Sequence, residues 1–183
     1  MMLVFKYGTM NSGKTLELLR MEFDRGEFCK VLMAKPKIDT REGTEECIIS
    51  SRIGVRKKGH WIEDLSEEEL LKADLLLIDE AQFLSKKIID CLRDLANYMD
   101  IVCYGLSTNF KSEMFEGAKR LFEVADEVIK MDSYCELCGK EKTVFNIRID
   151  GKTGKVVNEG EEIGIEGVDH RYISCCSKCK NLL

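Results

Sequence analysis

Short apolar runs recur along the first 130 or so residues, separated by longer stretches in which apolar positions return at helical spacing. The runs Leu3 to Tyr7, Lys30 to Ala34, Leu75 to Asp79, Ile101 to Leu106 and Glu127 to Met131 read as strands. Between the first two, Ser12 to Arg25 sets Leu16, Leu19 and Phe23 at helical spacing, and Gly26 supplies a stop. Ser85 to Asn97 does the same with Ile88, Ile89, Leu92 and Leu95, with Ser85 as N-cap. Strand and helix in alternation predict an α/β domain built on a mostly parallel sheet.

Residues 36 to 60 break this pattern with Pro36, Gly43, Gly54, Gly59 and mixed charge, so a hairpin or mobile arm is expected around the short strand Cys47-Ile48-Ile49. After Met131 the character changes to cysteines and glycines. A strand from Val144 to Ile149 turns through Asp150-Gly151-Lys152-Thr153-Gly154 into Val156-Val157. The expected organisation is a domain over residues 1–132 and a small module over 133–183. There is no internal repeat and no low-complexity tract.

Composition narrows the function classes. With 44% hydrophobic and 33% charged residues in 183, the chain can bury a core and is not disordered as a whole. The net charge of −5 provides no basic stripe for a phosphate backbone, so no nucleic-acid partner is expected. The start, Met1 to Tyr7, is too short for a signal peptide, and no apolar stretch approaches 18 residues; a cytoplasmic protein with no membrane partner is expected.

Gly8-Thr9-Met10-Asn11-Ser12-Gly13-Lys14-Thr15 matches G-x-x-x-x-G-K-[ST], directly after a strand and before a helix. Glycines let backbone N–H groups converge on phosphate oxygens, and the helix that follows aims its positive end at the same anion. Lys14 would neutralise the β- and γ-phosphates of ATP, and Thr15 would offer its hydroxyl to Mg²⁺. The plainer alternative is a glycine turn with an exposed lysine. Leu75-Leu76-Leu77-Ile78 ends in Asp79 and Glu80, the form of a buried strand opening on a nucleotide site. Asp79 suits a second magnesium contact. Glu80, expected on the opposite face by strand alternation, would orient water in an ATPase or take a hydroxyl proton in a kinase, and the sequence alone leaves both open.

Cys135-x-x-Cys138 and Cys176-x-x-Cys179 lie 37 residues apart, each pair spaced to give two thiolates to one structural Zn²⁺. A redox role would need only one pair. Cys175 could compete as a ligand but breaks the spacing, while Cys29, Cys47, Cys91 and Cys103 read as buried small hydrophobes.

The phosphate loop, Ile78-Asp79-Glu80-Ala81-Gln82-Phe83, Tyr104-Gly105-Leu106 and the late cysteine pairs, in this order, make the chain resemble the type II thymidine kinases from Leu3 almost to its end. The resemblance implies a P-loop NTPase-type sheet flanked by helices, with a small zinc-binding module and lasso loop. It implies transfer of the ATP γ-phosphate to the 5′-hydroxyl of thymidine, with Glu80 as base and Lys14 and Arg41 assisting. The implied nucleotide and magnesium contacts are residues 8–15, Asp39 and Asp79; Asp39 and Arg41 belong to Lys37-Ile38-Asp39-Thr40-Arg41. The implied nucleoside pocket comprises Met10, Phe83, Leu106, Phe110 and Phe115, with Ile163, Ile165, Gly167 and Tyr172 from the lasso. A homotetramer inhibited by thymidine triphosphate is implied as well.

Three departures leave base preference open. Ser107 stands where the family usually has Asp, and Ser50 to Gly54 replaces a His-Asn-Gly-like element. Phe145 lies where a pocket threonine is expected, with Asn146, Ile147 and Arg148 shifted in register. The alternative reading is a P-loop ATPase or nucleotide-operated switch, or a nucleotide-binding relative without an acceptor.

Overall fold

A computed structural model describes residues 1–39, 43, 45–160 and 170–183. Its centre is a six-stranded parallel sheet in the order β5-β2-β6-β7-β1-β8. The strands are β1 Leu3–Tyr7, β2 Val31–Lys35, β5 His60–Trp61, β6 Leu75–Ile78, β7 Asp100–Gly105 and β8 Glu127–Lys130. A separate hairpin pairs β3 Ile48–Ser50 with β4 Arg56–Lys58, which gives the expected arm its form.

Alternation of side chains divides the core into two layers. On one face Leu3, Phe5, Leu76, Ile78, Ile101 and Cys103 pack against helices α3 (Lys86–Leu95) and α4 (Glu116–Val124) through Ile89, Leu92, Ala118 and Leu121. On the other, Val4, Leu75, Leu77, Val102 and Tyr104 meet α1 (Lys14–Gly26) through Leu18 and Leu19. Covering both faces explains why β6 is an unbroken apolar run.

The stripe expected on α1 needs correction. Phe23 is exposed and Leu16 borders the cavity, whereas Leu18 is fully buried. Ser85 does cap α3, its Oγ accepting from the Ile88 N–H at 3.4 Å. The five-residue helix α2 (Glu67–Leu71) opens with a capping box between Ser66 and Glu69.

A second, antiparallel sheet has the order β10-β9-β11: β9 Phe145–Asp150, β10 Val156–Val157 and β11 His170–Cys175. Its own small core is Cys135, Ile147, Ile173, Cys175 and Cys176. The single-turn helix α5 (Ser177–Lys180) carries Cys179. The segment that leads into this sheet contacts the loop after β1 through polar groups. Thr9 Oγ1 shares hydrogen bonds with Thr143 Oγ1 at 2.7 Å and Ser133 Oγ at 3.1 Å, and Asn11 Nδ2 donates to Glu136 Oε1 at 2.8 Å.

Candidate active site

The loop from Gly8 to Gly13 leaves β1 at its carboxyl end and feeds α1. Gly8 is required there, because a Cβ would stand 2.7 Å from the carbonyl oxygen of Met131 and 2.4 Å from Ser12 Oγ. Gly13 adopts a left-handed φ of 78° at the N-cap of α1, and Asn11 a φ of 60°. The buried Lys14 ammonium donates to the Thr9 carbonyl at 2.7 Å and to Ser12 Oγ at 3.3 Å. Thr15 Oγ1 donates to Asp79 Oδ2 at 2.9 Å, so two oxygen groups suited to a hard cation lie side by side.

Glu80 lies past the end of β6, and strand alternation does not aim it. A left-handed backbone (φ 53°, ψ 34°) does, and it brings the residue to the cavity wall. Its Oε2 accepts from Gln82 Nε2 at 2.6 Å, while Gln82 Oε1 accepts from the Leu106 N–H at 3.0 Å. Gln82, 2% exposed, thus ties the carboxylate to the turn after β7.

The cavity, about 450 Å³, is lined by residues 10–16 of the phosphate loop and α1 together with Asp39, Glu80, Phe83, Leu106, Phe110, Phe115 and Tyr172. Phe83 and Phe115 pack edge to face at 5.5 Å. The Arg148 guanidinium lies 3.8 Å from the Phe110 ring centroid, and its Nε donates to the Tyr172 hydroxyl at 2.8 Å. Asp39 is held by the buried Lys35 ammonium at 3.0 Å, itself 5.3 Å from the centre of the Trp61 ring. Arg41, Ile163, Ile165 and Gly167 lie outside the described residues.

The Sγ atoms of Cys135, Cys138, Cys176 and Cys179 all lie within 4.8 Å of one another. Sulfurs on a tetrahedral zinc stand about 3.8 Å apart, so this set fits the ion with small adjustment. Burial pushes the Cys135 thiol up, but backbone N–H groups of Cys176, Cys138 and Leu137 outweigh it and bring the group down to about 6, whereas burial and the neighbouring sulfurs push the Cys179 thiol up to about 12. Cys175 lies in the small core outside this set.

A thymidine kinase family profile matches residues 1–180. The chain belongs to the thymidine kinase family. It is 36% identical to a thymidine kinase of Streptococcus gordonii over 96% of this chain and 94% of that one. To thymidine kinases of Listeria monocytogenes and Streptococcus pyogenes it is 38% identical, over 97% and 96% of this chain and 95% of each relative. Among solved structures, the replication initiator DnaA bound to AMPPCP and single-stranded DNA aligns with a TM-score of 0.46 at 17% identity, covering 72% of this chain and 40% of that one.

Within this thymidine kinase family member, the concern over Phe145 is corrected. Phe145 packs into the core of the second sheet under the Lys180 ammonium, and its neighbour Asn146 lines the cavity. Asn146, Gln82 and the arm residues Ser51 to Ile53 are cavity residues that sequence reasoning missed. Only the strand alternation of 144–149 could have pointed to Asn146, and that alternation has two faces to choose between.

Proposed function

We propose that this protein transfers the γ-phosphate of ATP to the 5′-hydroxyl of thymidine. The observation that carries the proposal is one cavity shared by a phosphate loop, an aromatic wall and the Glu80 carboxylate. Residues 8–15 would cradle the phosphates, with Lys14 on the β- and γ-oxygens and Asp39 and Arg41 facing the transferring group. Thr15 and Asp79 would hold Mg²⁺, which supplies charge neutralisation at those oxygens. Glu80 accepts the proton of the 5′-hydroxyl as its oxygen bonds to the γ-phosphorus; the bond to the β-γ bridging oxygen breaks, and its electron pair leaves with ADP.

Met10, Phe83, Leu106, Phe110, Phe115 and Tyr172 would form the base pocket, closed by Ile163, Ile165 and Gly167. In this reading residues 1–132 bind ATP, and residues 133–183 form the module that carries structural Zn²⁺ on its four cysteines. A cytoplasmic homotetramer inhibited by thymidine triphosphate belongs to the same proposal and rests on the family resemblance.

The test incubates purified, zinc-replete protein with γ-labelled ATP, Mg²⁺ and a panel of nucleosides. Labelled thymidine 5′-monophosphate is the expected product. Label released only as inorganic phosphate, at a rate thymidine does not change, would make the protein an ATPase. ATP binding without any labelled nucleoside would make it a nucleotide-binding relative that lacks an acceptor.

A further inference from the structure

The peptide groups of Met10, in the middle of the phosphate loop, are held from the second sheet on both sides. Its N–H donates to Asn146 Oδ1 at 2.8 Å, and its carbonyl accepts from the Ser174 hydroxyl. Asn146 on β9 and Ser174 on β11 are directly opposite each other in the antiparallel register, so one cross-strand pair clasps one residue of the loop through the two peptide units that flank it. Both side chains are almost fully buried, at 5% and 1% exposure. Asn146 Nδ2 also donates to the Thr108 carbonyl at 3.2 Å, which fixes the carboxamide orientation. Glu136, between the two cysteines of the first pair, accepts from Asn11 and also from the Ser174 N–H at 2.6 Å.

We propose that Asn146 and Ser174 are positioning residues of the phosphate loop, through which the cysteine module sets the affinity for ATP as well as completing the nucleoside pocket. The proposal rests on the reading of residues 8–15 as the ATP phosphate loop. The physical ground is preorganisation. A loop that must aim several N–H groups at one anion loses less entropy on binding if its backbone is already fixed, and buried hydrogen bonds to its main chain fix it. The Met10 N–H is itself engaged by Asn146, so the clasp shapes the loop rather than completing its set of phosphate donors.

Ser174 does not line the cavity, which makes it the informative position. In the full-length, zinc-replete chain, Ser174→Ala is expected to weaken binding of a fluorescent ATP analogue with Mg²⁺ by about tenfold, the consequence of leaving the Met10 carbonyl without its buried donor. KM for ATP rises with it, and by clearly more than KM for thymidine, whose pocket takes Met10 as one wall residue among several. Ser174→Thr, which keeps the hydroxyl, restores the affinity. Unchanged affinity in Ser174→Ala, or KM values for both substrates raised alike, overturns the proposal.

Lys14→Ala, measured alongside, separates the two readings. Loss of analogue binding in Lys14→Ala but not in Ser174→Ala removes the clasp alone, whereas normal binding in Lys14→Ala removes the phosphate-loop reading itself. Amide hydrogen exchange on the unmodified, nucleotide-free protein supplies a measurement independent of any variant's folding. The Met10 N–H is expected to exchange at least about a hundredfold more slowly than an open-loop amide. Exchange at the open-loop rate overturns the clasp.

Discussion

Glu80 adopts a left-handed backbone that costs a residue with a Cβ about 1 kcal/mol or more, and its surroundings over-determine that conformation. The Asp79 N–H before it is tied to Ala34, the Phe83 N–H donates back to its carbonyl, and Gln82 grips its carboxylate. If Glu80 takes the acceptor proton, Glu80→Gln keeps the size and the bond to Gln82 but loses the basicity. Turnover should then fall by about a hundredfold or more, while ATP affinity stays within about twofold, as single-turnover kinetics and equilibrium binding would measure. Retained phosphotransfer removes Glu80 from the mechanism. The acidic pair at 79–80 was legible because carboxylates ending an apolar strand are conspicuous. The turn that aims the second of them was not, since a left-handed glutamate leaves no trace in composition or periodicity.

At the scale of elements, β1, β6 and β7 were readable because strands buried on two faces need continuous apolar runs. Helix α4 was missed: it is nine residues long, and its N-cap position, Phe115, makes no side-chain cap. Its start is nevertheless tightly specified. A Cβ on Gly117 would lie 2.6 Å from the carbonyl oxygens of Gln82 and Leu84 and 2.9 Å from that of Ala81. Alanine ordinarily favours a helix over glycine by about 1 kcal/mol. Here the backbone clash should win, and Gly117→Ala should destabilise by about 2 kcal/mol in urea unfolding. A neutral or stabilising result would show that α4 does not press on the 81–83 turn.

Asp126, just before β8, ties β1 to α3, and its carboxyl is held below the ordinary aspartate range first by the Leu3 N–H at the start of β1 and then by Arg93 of α3. A depressed pKa means that the folded state favours the ionised form. The stabilisation is therefore present above the unfolded-state pKa and is lost as pH falls through the folded-state value. Wild-type protein should exceed Asp126→Asn in melting temperature near neutrality, with the gap closing in acid. The gap is expected to be small, because the side chain is partly exposed. A difference independent of pH would assign the effect to packing.

For the molecule as a whole, the two sheets differ in what can hold them. The parallel sheet buries two extensive apolar layers, whereas the apolar cluster beside the antiparallel one holds, among the described residues, five buried residues, three of them cysteines. The paired cysteines were legible from spacing alone, but the attachment of their module to the phosphate loop was not, because single hydrogen bonds from Thr143, Asn146 and Ser174 carry no sequence pattern. A core this small needs cross-linking, and a metal bound to four thiolates adds its binding energy to folding. Metal analysis should find one zinc per chain. Stripping it with a chelator under reducing conditions should abolish amide protection in β9 and β11 while β1, β6 and β7 keep theirs, as measured by hydrogen exchange. Cys135→Ser should behave in the same way without chelator. If verified loss of zinc leaves β9 and β11 as protected as before, their side chains alone sustain the module, and the four cysteines have no structural part in it. Uniform loss of protection in both sheets would instead mean that the parallel sheet depends on the metal as much as its smaller neighbour does.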